Sequence, residues 1–318
     1  MHDLATRLRM LGGNGELSLP PPGAGSTAAR HTALFEFGRE DLSLARLAEA
    51  HTDALAILAE AGHVAPVGQL YGVWASDGPN SMLTVSRIGA KIRIDGTKRY
   101  CTGAQLLDAA LVSAHEGDHI VLLDVPLTLA GLTVDASEWA APAFAATSTA
   151  SVRFDNVQLS EAAIVGGRDW YLSRPGFWHG ALGPAACWAG GAAGLVDAAR
   201  LLHKRDPHAR AQLGALEAAD WGLRAVLHQA GREIDADPHD TGREARRRAL
   251  MARHLIERMC TDVLDRFGRA TGPQLLAFDA LVAQRHAELS LYIRQCHGER
   301  DLAAIPAEPR VPEVKVPC

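Results

Sequence analysis

The residues of this 318-residue chain whose types lend themselves to chemistry fall into three stretches. The first comes in two halves, Tyr71-Gly72-Val73-Trp74-Ala75-Ser76-Asp77-Gly78-Pro79-Asn80 and Asp95-Gly96-Thr97-Lys98-Arg99-Tyr100-Cys101-Thr102-Gly103-Ala104. It offers flat aromatic rings at Trp74 and Tyr100, hydroxyls at Ser76 and Thr102, and a thiol at Cys101. Taken alone, each half is a strand beside a polar loop or turn, and both aromatics read as ordinary core residues. The second stretch, Arg266-Phe267-Gly268-Arg269-Ala270-Thr271-Gly272-Pro273, sets the cation of Arg269 beside a turn at Gly272. A helix–helix turn ended by Gly-Pro accounts for that pattern equally well. The third, Tyr292-Ile293-Arg294-Gln295-Cys296-His297-Gly298-Glu299-Arg300-Asp301, holds an imidazole at His297 and a carboxylate at Glu299. Either can accept a proton near neutral pH where its surroundings tune it. Glu299 reads equally as a surface partner of Arg300. His297, like His179 beside Phe177 and Trp178, reads equally as a packed or solvated side chain.

Positioning such groups takes a scaffold, and the chain is long enough for two or three structural units with real cores. Its 32 Lys and Arg against 37 Asp and Glu leave it mildly acidic, so nucleic acid is not an expected partner. The basic run at Arg246, Arg247 and Arg248 opens a helical pattern beside Glu244 and reads as a solvated helix face. Five scattered cysteines fit neither a disulfide framework nor a zinc site, and no metal is expected. No charged-then-apolar leader opens the chain, and no stretch reaches the ~20 apolar residues of a membrane span. A cytoplasmic protein is the expectation.

Residues Ser18 to Ala28 are rich in Pro, Gly and Ser and read as a flexible lead-in. From Leu34 the pattern is helical, with Leu44, Leu47, Leu55 and Leu58 at helical spacings, Asp41 as a start signal and Gly62 as the stop. Between Gln69 and Ile164 short apolar runs alternate with turn signals such as Asp95-Gly96 and Asp155-Asn156, which predicts an antiparallel barrel or sandwich. After Arg174-Pro175-Gly176 the chain turns Ala/Leu-rich and helical. Four helices are predicted, near Phe177–Arg205, His208–Asp235, Thr241–Arg269 and Gln274–Ile305, forming an up-down bundle. Prolines at Asp206-Pro207, Asp237-Pro238 and Gly272-Pro273 set the breaks. The expected division is a short helical segment over 1–65, a β-domain over 66–166, a four-helix bundle over 167–305 and a loose tail over 306–318.

Together these segments resemble the acyl-CoA dehydrogenase superfamily. Its middle domain carries an aromatic-to-Thr-Glu-Pro strand and then a Gly-x-Lys-x-Trp-Ile-Thr/Ser strand. Tyr71 to Asn80 matches the first, and Gly96 to Thr102 the second. Asp108 to Ala114 looks like that family's Ala-Asp-x-x-Leu-Val-x-Ala strand, and Ser151-Val152-Arg153-Phe154-Asp155-Asn156-Val157 like its Val-x-Phe-Asp-x-Val exit strand. The resemblance runs from about Leu34 to Ile305. It implies an α+β chain of helices, β-domain and four-helix bundle, binding FAD and acting on a small molecule, an acyl thioester among the choices. The ring would lie against Tyr100-Cys101-Thr102 and Trp74-Ala75-Ser76. Arg269 and Gly272 match a turn that contacts a neighbouring subunit's FAD, which implies a homodimer or homotetramer.

The sequence departs from the family in three places. The Arg that clamps the FAD pyrophosphate precedes a Phe-Gly in the family, whereas the nearest stretch here, Arg205 to Arg210, has no Phe-Gly after it; Arg205 and Arg210 are the substitutes. The family's base follows Tyr in Tyr-Glu-Gly-Thr, whereas Ile293 follows Tyr292 here, and its other known location, near Pro184, is empty too. Glu299 and His297 are therefore the candidate catalytic residues. The helical segment before the β-domain is also short, leaving CoA recognition unassigned. Three readings stay open: a dehydrogenase, an oxygen-using oxidase or monooxygenase with His297 in the C-terminal stretch, and a non-enzymatic binding or structural member.

Overall fold

The computed structural model describes residues 4–78, 81–202 and 206–307. Arg205, Asn80 and most of the Pro-rich tail therefore lie outside the described residues. The elements in order are α1 (Leu4–Gly13), α2 (Thr27–Glu40), α3 (Leu42–Glu60), β1 (Tyr71–Trp74), β2 (Met82–Ile88), β3 (Lys91–Cys101), β4 (Ala109–Glu116), β5 (His119–Pro126), β6 (Leu132–Asp135), β7 (Ala150–Ser160) and β8 (Ile164–Val165). There follow α4 (Trp170–Ser173), α5 (Pro175–Gly180), α6 (Leu182–Arg200), α7 (Pro207–Ala236), α8 (Ala245–Thr271), α9 (Pro273–Phe278), α10 (Ala280–Tyr292) and α11 (Glu299–Ala304). The chain forms two compact units, one taking in α1 and Asp41–Phe177, the other Pro20–Glu40 and the helices from α6 onward.

In the first unit the strands run in the order β6-β7-β3-β2-β4-β5-β8, with β1 added beside β4. Strand alternation sends Trp74, Leu83, Ile92, Ile94, Ala110, Val112, Leu123 and Phe154 into one core. Where β1, β4 and β5 have a second buried face, Tyr71, Ala109, Leu111 and Leu122 pack against Ala54, Ile57 and Leu58 of α3. Fully burying a side chain such as Ile57 contributes about 1.5–3 kcal/mol. Asp41 caps α3 by accepting from Leu44 N at 3.1 Å, as its position before the apolar run predicts.

Two expectations for the sheet are corrected. The pairing is not wholly antiparallel, because β1 runs parallel to β4. Asp95-Gly96 and Asp155-Asn156 are also not turns: they sit opposite one another inside β3 and β7, where the register shifts between Ile94 and Gly96. Gly96 has φ 124°, and a Cβ there would stand 2.1 Å from the Met82 carbonyl oxygen. Asn156 takes φ 52°, and its N–H donates to Asp95 Oδ1 at 2.8 Å. The same residues that favour a turn thus form a paired irregularity within two long strands.

The second unit is helical, and α2 belongs to it, which the sequence pattern did not indicate. Helices α2 and α6 approach until their backbones touch: a Cβ at Gly190 would lie 1.9 Å from the Phe35 carbonyl oxygen. Asp235 of α7 receives the N–H groups of Gly25 and Thr27 and the Thr27 hydroxyl, satisfying the start of α2 from another helix. The predicted last helix is broken into α9, α10 and α11. Asp279 starts α10 afresh by accepting from Leu281 N and Val282 N, and Gly298, at φ 53°, stands just before α11. None of the described helices is long and apolar enough to cross a membrane.

Candidate functional site

The sequence separates the two halves of the first stretch, and the sheet brings them together. β1 turns Trp74 inward, where it is 2% exposed and its Nε1 donates to the Thr102 carbonyl at 3.0 Å. Beyond Trp74 the chain continues along β4, with the Ser113 hydroxyl donating to the Ala75 carbonyl at 3.1 Å. Ser76 is then exposed. On β3 the register shifts again between Lys98 and Cys101, so that two residues, Arg99 and Tyr100, oppose one on β7. Tyr100 adopts φ 58°, a region an L-residue enters at a cost of order 1 kcal/mol, and its ring is left half exposed. Bulges of this kind re-aim a side chain. The ring edge packs over Gly78, where a Cβ would lie 2.9 Å from Tyr100 Cε2.

Thr102 is half-buried, and the Thr149 hydroxyl donates to its Oγ1 at 3.2 Å, with Thr147 Oγ1 a further 2.9 Å along. Cys101 points into the core. Burial pushes its thiol up to about 12, so it stays protonated and unreactive. A recess of about 160 Å³ opens beside Tyr100, lined by Arg99, Glu138, Trp139, Thr149 and Ser151. Glu138 accepts from the Ser151 hydroxyl and from Arg99, and both bonds hold its carboxyl below the usual range. Thr149, Glu138 and Trp139 escaped the sequence reading because nothing in their local pattern marks them. Only the fold carries them to the bulge.

The other candidates lie in the helical unit. His297 and Glu299 flank Gly298 between α10 and α11, and both are exposed. Partial burial, then the nearby Arg300, lowers the His297 pKa, and its backbone N–H donates to Asp301 at 3.2 Å. Ile293, at the position where a base is expected, is fully buried. Tyr292 packs edge-on against Trp188 with ring centroids 6.0 Å apart. Arg269 pairs with Asp265 one turn back in α8, and the Gly272 N–H closes that helix by donating to the Gly268 carbonyl at 2.9 Å. His179 is buried, its Nε2 donating to the Pro238 carbonyl at 3.1 Å. Arg210 is exposed on α7. Among the described residues no group of three or more His, Cys, Asp or Glu gathers as a metal site.

The sequence matches no family model and no curated relative. Solved structures do match the fold. A nitrososynthase from Micromonospora carbonacea var. africana aligns with TM-score 0.80 at 17% identity, covering 94% of this chain and 87% of its own. A glutaryl-CoA dehydrogenase from Mycobacterium smegmatis aligns with TM-score 0.79 at 16% identity, covering 92% and 82%. The FMN-bound TdsC of Paenibacillus sp. A11-2 aligns with TM-score 0.75 at 17% identity, covering 95% and 94%. This chain has the acyl-CoA dehydrogenase fold. At such identity the likeness establishes the architecture and leaves chemistry to the residues. The positions that the sequence resemblance gives to a ring-stacking aromatic and a hydroxyl hold Tyr100 and Thr102, and the one it gives to a base holds Ile293.

Proposed function

We propose that this protein is a flavin-dependent oxidoreductase acting on a small molecule, with the flavin ring against Tyr100 and Thr102, and that it uses dioxygen. The observation that carries the flavin reading is the convergence of the two β-segments at the Tyr100 bulge. A flavin ring needs a flat wall, a hydroxyl at its edge and polar backbone beside it. The outward Tyr100 ring, the Thr102 hydroxyl and the Ala75–Ser76 backbone supply that set, so the residues present fit the group. When bound, the flavin would supply two-electron redox chemistry, including reaction of its reduced form with oxygen.

This chain's own contribution is then positioning and proton handling. Tyr100 backs the ring, and Thr102, fixed by Thr149, orients it. A strained backbone at φ 58° persists because Gly78 and the bulge over-determine it. α,β-Dehydrogenation of a thioester requires a carboxylate poised at the substrate, and the buried Ile293 offers none. Partial burial and Arg300 lower the His297 pKa, which favours the neutral imidazole, a form able to take a proton. Oxygen chemistry is favoured on that ground, and TdsC, named a dibenzothiophene monooxygenase, points the same way. With no Arg-x-Phe-Gly clamp in the sequence, FMN is the favoured flavin and FAD the other. A homodimer or homotetramer completes the proposal.

The test is titration of the purified protein with FMN and with FAD, followed by chemical reduction and rapid mixing with oxygen. Yellow protein whose reduced flavin reoxidises rapidly supports the proposal. Sluggish reoxidation, with reduction by an acyl thioester, restores the dehydrogenase reading. Uptake of neither flavin overturns both.

A further inference from the structure

Lys98 is fully buried in the β-domain. Its ammonium donates to Asp77 Oδ1 at 2.6 Å and to the Ser113 hydroxyl at 2.9 Å. Ser113 in turn donates to the Ala75 carbonyl at 3.1 Å. One ammonium therefore ties the segment after β1 to β4 at both Ala75 and Asp77. His115 adds a third hold, its Nε2 3.3 Å from Asp77 Oδ2.

The same residue also anchors the Tyr100 bulge. The bulge lies between Lys98, opposite Val152, and Cys101, opposite Ala150. The Cys101 thiol donates back to the Lys98 carbonyl at 3.3 Å, closing the loop of chain that carries Arg99 and Tyr100. Outside, the Arg99 N–H donates to Ser81 Oγ at 3.1 Å. A buried charge is expensive to keep unless it is paired and hydrogen-bonded, and an apolar side chain of the same length would fill the space without that cost. What Lys98 adds over such a side chain is a connection between two segments that share no backbone hydrogen-bond ladder.

We propose that Lys98 is the positioning residue that sets both walls of the candidate flavin site, the Ala75–Gly78 segment and the Tyr100 bulge, as one unit. The inference rests on the flavin reading for its functional meaning, and its geometry can be tested without flavin. Two variants serve: Lys98→Met, which keeps length and removes the charge, and Asp77→Asn, which keeps the shape of a side chain 40% exposed and removes its charge.

Amide hydrogen exchange of the ligand-free protein is read over residues 75–78 and 99–102, with β5 as the internal control. Both variants should exchange about tenfold faster in both segments, with β5 little changed. Titration with FMN and FAD should show affinity weakened about tenfold, with a shifted visible spectrum for what binds. Unchanged exchange at 99–102, or equal flavin affinity in wild type and variants, overturns the proposal. Faster exchange in both segments with no flavin bound by the wild type upholds Lys98 and removes the proposed function alone.

Discussion

The Tyr71 N–H, which opens the strand leading to Trp74 and Ser76, donates to Nδ1 of His51 at 3.1 Å. That bond requires an imidazole without a proton on Nδ1. His51 is 5% exposed, and burial drives its pKa down to about 4, the opposing pull of Asp108 being smaller. His31, donating from Nδ1 to the Leu227 carbonyl at 3.0 Å, is likewise brought to about 4 by burial. Both are neutral when folded and take up protons near pH 6.5 when unfolded. The unfolded state therefore binds more protons between about pH 6.5 and about pH 4. Their stability is fully present above 6.5 and is lost as pH falls through that window.

Each group contributes about 3 kcal/mol in full, and about 2 kcal/mol of it is lost between about pH 7 and about pH 5. Carboxylates held low, such as Glu116 at about 2 between Arg168 and Arg87, lose their contribution only below that range. Urea unfolding of wild type and His51→Asn at a series of pH values isolates the effect. Asn keeps an acceptor for the Tyr71 N–H and does not titrate. The variant should lose about 2 kcal/mol less than wild type between about pH 7 and about pH 5. Identical pH slopes would refute the assignment of His51 as a neutral acceptor.

Three further outcomes follow from the same geometry. Thr102→Val should weaken flavin retention by about 0.5–1.5 kcal/mol, measured by titration, since it removes one hydrogen bond. Gly190→Ala should destabilise the helical unit by about 2–4 kcal/mol in denaturant unfolding, because its Cβ would stand 1.9 Å from the Phe35 carbonyl oxygen across α2 and α6. Asp235→Ala should cost about 1–2 kcal/mol and speed amide exchange at the start of α2, whose Gly25 and Thr27 N–H groups lose their acceptor.

The two β-segments of the candidate site are legible in the sequence because their cues are local. A strand ending in an aromatic and a polar loop, and a Gly-x-Lys-x-aromatic-x-Thr run, each occupy a few consecutive residues. Asp41 was legible for the same reason, since a cap acts within its own turn. Asp95-Gly96 was misread because left-handed backbone serves a turn and a bulge alike, and only the opposing Asn156 decides between them. The clasp of Lys98 on Asp77 joins β3 to a segment beyond β1, and the Asp235 cap reaches across the helical unit to Thr27. Neither has a spacing that a linear pattern can show. The break of the last helix at Asp279 was in plain view as a cap signal, and it was masked by apolar periodicity running through it.

The contrast between the two candidate regions bears on the proposed chemistry. At Tyr100 the backbone holds a strained tyrosine whose ring stays half exposed, with a hydroxyl two residues on and a polar recess alongside. Strain and exposure together need a reason beyond packing, because a tyrosine serving only the core would sit inward at ordinary φ. Beyond Tyr292 the arrangement is the reverse. The position that the resemblance gives to the base holds the buried Ile293, and the candidates Glu299 and His297 are exposed. A solvent-exposed carboxylate is a poor match for a weakly acidic C–H, whereas an imidazole suffices for proton exchange with water or an oxygen-derived group. The proposed cofactor wall carries backbone strain, while the position that the resemblance gives to the base holds isoleucine, and that asymmetry is the ground for proposing oxygen chemistry over dehydrogenation.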